Sequence, residues 1–176
     1  MMDCKAMATP MALNLKLLSD ASSESVDATM YHQMIGSLMS LMNTRPDICF
    51  TMNTLSQFLK DPRHVHLIAV KHILRYLKGT VYYGLKYEVN QKINLEGYVD
   101  LDCAGNAIDR KSTSWCCFSM GSSVISWFSR KQSYVELSTA EEEYVTACST
   151  SCEVVWMRKL LSDLFDLQVG CYLYIF

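Results

Sequence analysis

The sequence predicts an α+β fold in which a helical segment precedes a β-β-β-α-β unit. Apolar residues recur at three- and four-residue spacing between Thr29 and Lys78, which is the period of helices buried on one side. After Tyr82 the apolar and polar residues alternate, as they do in a half-buried strand. Hydrophobic residues make up 50% of the 176 positions and only 3 are proline, so the chain can bury a core and is neither disordered nor collagen-like.

Three helices are predicted between residues 29 and 80, after an irregular lead-in at residues 1–28. In chain order, these helices are expected over residues 29–43, 46–60 and 64–78. Pro46 suits the first turn of the second helix because its φ angle is already fixed near the helical value. Pro62 ends that helix, and Gly79 ends the third. This part of the chain is therefore predicted to be a separate helical segment.

The remaining residues, 81–176, are predicted to form strands in the order β-β-β-α-β. The strands are expected in YYGLKYE with INLEGYVDLD, in Ser114–Met120, in Val124–Ser129, and in the last residues, VGCYLYIF. Gly121 opens the turn between the second and third strands. A long helix is predicted to follow Ser138, because three acids, Glu141–Glu143, stand in the first turn, where the helix dipole favours them.

The net charge of −2 conceals a strongly basic stretch in the first half of the chain. Between Asn43 and Lys86 there are seven Lys and Arg residues against two acids, Asp47 and Asp61. Three of these cations lie at helical spacing in the third helix: Lys71, Arg75 and Lys78. They are predicted to bind a nucleic-acid backbone, and an ordinary solvated helix face is the alternative.

Other features point to ordinary packing inside a chain that does not cross a membrane. No apolar run reaches the roughly 20 residues that a spanning helix requires, and Lys16 interrupts the stretch where a secretory signal would be apolar. The eight cysteines are expected to be reduced, with Cys148 and Cys152 as core thiols. An aromatic series is expected to pack in the sheet and core: Trp115, Phe118, Trp127 and Phe128.

Several longer segments together resemble one family, the copia-type LTR retrotransposon Pol polyproteins. The segments are YHQMIGSLMSLMNTRPDICF, HLIAVKHILRYLKGT, GYVDLDCAG, DRKSTSWCCF, ISWFSRKQ and LSTAEEEY. They match the region where the reverse transcriptase tail leads into the ribonuclease H domain, and the resemblance covers residues 1–168. It implies that residues 29–80 are a connection segment and residues 81–176 a truncated ribonuclease H-like domain.

The same resemblance implies the chemistry of the site. Asp100 matches the first catalytic aspartate and Glu143 the catalytic glutamate of an enzyme that cleaves the RNA strand of an RNA–DNA hybrid with two Mg²⁺ ions. The family's third acid lies in a Cys-Asp-Asn segment on the strand after the long helix, and its fourth lies further on. In this chain that strand reads GCYLYIF and lacks the acid. We therefore expect Asp100 and Glu143 to be vestigial, the chain to be no enzyme, and no cofactor to be required.

Two alternative interpretations of the sequence include a metal ion. Asp100, Asp102 and Glu143 are weak candidate ligands for a single divalent ion, with solvated acids as the other interpretation. Mg²⁺ would be required only if the chain were an active ribonuclease H. The sequence also has Glu136 and Glu142 at positions where the family tends to have alanine.

A free-standing chain of this kind also resembles secreted RxLR-type effectors of oomycete plant pathogens. These virulence proteins enter host cells and suppress defence or cell death. Arg75-Tyr76-Leu77-Lys78 approximates their Arg-x-Leu-Arg motif but ends in lysine. The retroelement interpretation predicts RNA–DNA hybrid or other nucleic acid as partner, in the cytoplasm or nucleus. The effector interpretation predicts secretion and then host plant proteins as partners. Either way, a sheet cut short at its fourth strand predicts self-association.

Overall fold

The computed structural model describes residues 4–12, 23–89, 93–102, 111–132, 135 and 138–175, with Leu101 and Asp102 described by their backbone alone. The chain forms two compact units, Met1–Gly84 and Leu85–Phe176. The described residues contain four α-helices and a four-stranded mixed sheet, which confirms the predicted α+β class. Within these residues, no helix is both long enough and apolar enough to span a bilayer.

The first unit contains helices α1 (Ala28–Leu41), α2 (Cys49–Ser56) and α3 (His64–Gly79). The side chain of Asp27 accepts the N–H of Thr29 and so caps the start of α1. The largest fully buried side chains of this unit come from all three helices and the turn before α2: Tyr31, Ile35, Ile48, Met52, Leu55, His66, Val70 and Ile73.

The second predicted helix is shorter than its sequence pattern indicated. Pro46–Ile48 is a 3-10 turn, and the α-helix ends at Ser56 rather than continuing to Lys60. The N–H groups of Phe58 and Leu59 donate to the carbonyls of Leu55 and Ser56, three residues back, so the chain tightens after Ser56.

A polar network anchors the start of α2 to the end of α3. Arg45 donates twice to Asp47, at 2.9 and 2.6 Å, and also donates to the carbonyl of Thr80 at 3.1 Å. Tyr76 donates its O–H to the same carboxylate. Burial, the largest single influence, would raise the pKa of Asp47, but the hydrogen bonds from Arg45 and Tyr76 outweigh it and hold that pKa below its ordinary value. Arg45 and Asp47 thus connect the turn before α2 to the end of α3.

The second unit contains strands β1 (Leu95–Asp102), β2 (Thr113–Met120) and β3 (Ser123–Lys131), then helix α4 (Thr139–Phe165) and strand β4 (Cys171–Ile175). The sheet order is β3-β2-β1-β4, with antiparallel pairs except for β4, which runs parallel to β1. Gly121 opens the β2–β3 turn with a φ of 63°, a conformation that favours glycine.

The predicted strand over YYGLKYE is wrong, because residues 82–88 have no strand partner. Tyr82 is fully exposed and Tyr83 largely so. The alternation of apolar and polar residues in this segment therefore produces no buried face. The end of this segment is tied instead to the β2–β3 hairpin: Tyr87 donates to the carbonyl of Val124, and the N–H of Glu88 donates to Ser122.

Helix α4 covers one face of the sheet. Ser138 caps its start by accepting the N–H of Glu141 at 3.2 Å, as the sequence predicted. The helix ends at Phe165, and the residue that caps it, Asp166, has the left-handed φ of 54°. The core between helix and sheet consists of Leu95, Val99, Cys116, Phe118, Met157, Leu161 and Val169.

Candidate functional site

The three cations of the predicted nucleic-acid interface lie along α3 at positions i, i+4 and i+7. Lys71 and Lys78 are exposed, and Arg75 is half-buried. Lys78 donates to the main-chain carbonyl of Cys4 at 2.9 Å. The Nε atom of Arg75 is buried and has no hydrogen-bond partner among the described residues. Lys71 and Lys78 are therefore both open to solvent, although Lys78 is also bonded to the main chain, whereas Arg75 is partly covered.

The RxLR-like motif, Arg75-Tyr76-Leu77-Lys78, occupies the last turns of α3 rather than an extended loop. Tyr76 is only 6% exposed and donates to Asp47, and Leu77 packs against the core of the first unit. Two of the four side chains therefore have a packing role in this unit.

The predicted carboxylates stand on two different elements. Asp100 is exposed on β1. Its neighbour Val99 packs towards α4, so the two side chains lie on opposite faces of the sheet. Glu143 is exposed near the start of α4, and the side chain of Asp102 lies outside the described part. Within the described residues, no three His, Cys, Asp or Glu side chains are grouped to hold a metal ion. Among the described side chains, therefore, no group of carboxylates matches the Mg²⁺ pair that the resemblance implies.

Glu142, between the two exposed glutamates, is only 2% exposed, and within the described part of the chain its Oε1 atom has no hydrogen-bond partner. The sequence predicted an acid in the first turn, favoured by the helix dipole; Glu142 does stand there, but its burial was not predicted. The buried residues of α4 recur as Glu142, Thr146 and Thr150, so Glu142 lies on the face that packs against the sheet. A carboxylate therefore occupies a core position.

The same face of α4 contacts β2 through polar side chains. The hydroxyls of Thr146 and Ser114 lie 3.0 Å apart, and Gln132 donates to Ser114 at 2.9 Å. One turn further on, Cys116 Sγ lies 3.5 Å from Thr150 Oγ1, and burial raises the pKa of this thiol. Each of these groups has a partner, in contrast to Glu142 Oε1.

The aromatic series divides between the two faces of the sheet. Phe118 is fully buried on the α4 side, and Phe128 packs 6.4 Å from it. Trp115 and Trp127 alternate to the opposite face and are partly exposed. Tyr98 and Tyr174 stack on that second face, with ring centroids 5.2 Å apart. Sequence reasoning missed this second aromatic face because it depends on which strands are neighbours.

The cysteine prediction was correct for part of the set only. Cys49, Cys116 and Cys117 are buried free thiols, whereas Cys148 and Cys152 are exposed. The last two lie on the solvent side of α4, opposite the polar face. They are therefore not core thiols.

No protein-family model matches the chain, and no solved structure matches it. The chain is 40% identical over 164 residues to the retrovirus-related Pol polyprotein from transposon RE1 of Arabidopsis thaliana, covering 93% of the chain and 11% of that protein. It is 38% identical over 171 residues to the retrovirus-related Pol polyprotein from transposon TNT 1-94 of Nicotiana tabacum, covering 93% and 13%. It is also 41% identical over 128 residues to secreted RxLR effector protein 161 of Plasmopara viticola, covering 72% and 90%. The chain thus spans about a tenth of the length of the polyproteins.

Proposed function

The chain belongs to the family of copia-type retrovirus-related Pol polyproteins, and we propose that it is a ribonuclease H-like unit that binds nucleic acid without hydrolysing it. The observation that carries this proposal is the composition of β4. This strand runs parallel beside β1, which bears Asp100, and its residues are Cys, Tyr, Leu, Tyr and Ile. The strand order β3-β2-β1-β4 supports the β-β-β-α-β layout that the resemblance implied.

Hydrolysis by two metal ions requires several carboxylates that converge on the ions. In the register of the sheet, Val99 pairs with Ile175, so apolar and aromatic side chains occupy the strand on which the resemblance implies a further acid. The described residues of this strand, Cys171–Ile175, thus contribute no carboxylate beside β1. This arrangement favours binding without cleavage.

The basic character of α3 supports the binding half of the proposal. Lys71 and Lys78 are exposed on one helix, within a stretch that has few acids. Cations in such an arrangement bind phosphates by releasing condensed counterions, and the affinity then falls steeply with salt. The expected ligand is an RNA–DNA hybrid or another nucleic acid.

The Lys71→Gln and Lys78→Gln variants are expected to weaken binding and to reduce the slope of log affinity against log salt by about 1 for each lysine removed. The measurement is fluorescence anisotropy of a labelled RNA–DNA hybrid at several salt concentrations. Lys60→Gln is the matched control, because Lys60 is exposed in the same unit but precedes α3. Absence of binding at low salt, or equal slopes for all variants, would contradict the proposal.

The same labelled hybrid tests the non-catalytic half. Incubated with the chain and Mg²⁺, it is expected to stay intact. Cleavage that disappears in an Asp100→Asn variant would show an active ribonuclease H and would overturn this half of the proposal.

A second function is favoured by one observation, the 41% identity to the oomycete effector over 90% of its length. On this alternative the chain acts on host plant proteins and suppresses cell death. Expression in leaf tissue together with a cell-death elicitor is then expected to reduce the lesion. Unchanged cell death at a confirmed expression level would remove the alternative.

A further inference from the structure

A segment near the N-terminus, residues 4–11, lies along α3, and we call it the N-terminal strap. The carbonyl of Cys4 accepts from Lys78, the N–H of Met7 donates to the carbonyl of Arg75 at 3.4 Å, and the carbonyl of Thr9 lies 2.9 Å from a ring nitrogen of His72. Along these three contacts, the residue numbers in the strap increase while those in α3 decrease. The strap therefore runs antiparallel to α3 and contacts it over two turns.

Packing also holds the strap. Met7 and Met11 pack against the core of the first unit. A Cβ atom at Gly79 would lie 2.9 Å from the Cβ of Ala6, closer than real Cβ contacts allow. Gly79 is thus required for the close approach of the strap to the end of α3.

The strap covers part of the basic face of α3. It engages the ammonium of Lys78, and the Nε of Arg75 is buried without a hydrogen-bond partner. A cavity of about 470 Å³ lies beside it, bounded in part by Cys4, Lys71 and Arg75. An unpaired buried donor is unfavourable. An anion that displaced the strap would therefore gain an ammonium that the closed arrangement engages in a main-chain hydrogen bond, and a guanidinium whose Nε is buried.

We propose that the N-terminal strap is an autoinhibitory contact that competes with nucleic acid for the basic face of α3. This inference rests on the proposed nucleic-acid binding. On binding, Lys78 exchanges the carbonyl of Cys4 for a phosphate oxygen, and Arg75 gains an anionic partner. The apparent affinity of the whole chain is then reduced by the fraction of molecules in which the strap is closed.

A pair of glycine variants in the full chain tests the inference. Gly79→Ala forces the strap away from α3, whereas Gly36→Ala is a matched helical control because nothing lies within 4 Å of a Cβ there. If the strap is open in about a tenth of molecules, Gly79→Ala raises the affinity for a labelled RNA–DNA hybrid by up to about tenfold. Gly36→Ala leaves it unchanged. Ala6→Leu enlarges the side chain on the strap side of the same contact and is expected to act like Gly79→Ala.

Amide hydrogen exchange at Met7 gives a second readout that does not depend on affinity. Exchange is expected to be faster in Gly79→Ala, and faster in the unaltered chain when the hybrid is added. Equal affinities of the two glycine variants, with binding that still depends on Lys71 and Lys78, would overturn the strap and leave the proposed function intact. Slower exchange at Met7 on adding the hybrid would also overturn it. Absence of binding by every variant would overturn the proposed function and the strap together.

Discussion

Replacing Glu142 by alanine is expected to raise the free energy of unfolding by up to about 2 kcal/mol, because it removes the penalty of roughly 1–3 kcal/mol for a buried polar group without a partner and loses a smaller helix-dipole interaction. Glu142 is 2% exposed, and its Oε1 atom has no hydrogen-bond partner. Against this, the substitution loses the helix-dipole interaction of a first-turn acid, roughly 0.3–1 kcal/mol. The desolvation gain is the larger of the two, so the sign is stabilising. Urea unfolding followed by circular dichroism measures the change.

Glu143→Ala is the matched control. Glu143 is the next residue in the same helical turn, but it is exposed. Its replacement removes a similar dipole interaction without relieving a buried polar atom, and the stability is expected to change by less than about 0.5 kcal/mol. If Glu142→Ala destabilised the chain more than Glu143→Ala did, Glu142 would have a compensating partner, and the interpretation of a misplaced carboxylate would be wrong.

The contrast between these two glutamates shows what helical periodicity predicts and what it does not. The start of α4 at Ser138 could be predicted because a capping residue and first-turn acids are local signals. The rotation of the helix about its axis is set by contacts with β2, which are distant in sequence. Only those contacts reveal that Glu142 is buried while Cys148 and Cys152 are exposed.

The strand predictions succeeded or failed according to whether a partner was available. INLEGYVDLD forms β1 because β2 and β4 flank it. YYGLKYE has the same alternation but no neighbouring strand, and its tyrosines are exposed. Alternation shows that a segment is able to form a strand, whereas pairing decides whether it does so. The second aromatic face, with Trp115 and Trp127, was missed for the same reason.

The candidate interface shows a similar limit. The spacing of Lys71, Arg75 and Lys78 predicted one helical stripe, and the three do lie along α3. The strap that covers part of it could not be predicted, because Lys78 and Cys4 are 74 residues apart in sequence. The contact uses the main-chain carbonyl of Cys4, and a main-chain contact leaves no side-chain pattern in the sequence.

Replacing Gly97 by valine is expected to destabilise the second unit by about 1–3 kcal/mol, the usual cost of overpacking a core. A Cβ atom at this position would lie 2.8 Å from Leu173 Cδ1 and 3.0 Å from Phe118 Cε1. Valine otherwise favours strands, so a loss of stability would report on the packing rather than on strand propensity. Gly170→Val is the control in the same unit, because no atom lies within 4 Å of a Cβ there.

A double-mutant cycle identifies which element opposes the valine. Leu173 belongs to β4 and pairs with Gly97 across the parallel β1–β4 ladder. If β4 lies in this register, Leu173→Ala opens the space that the larger side chain of Gly97→Val needs, and the double variant is more stable than the sum of the single changes by about 0.5–3 kcal/mol. Additive effects would mean that Leu173 does not meet position 97. The parallel pairing of β4 with β1 would then fail, and with it the argument that an acid-free strand stands beside Asp100. The coupling energy between these two positions therefore tests the topology on which the non-catalytic proposal depends.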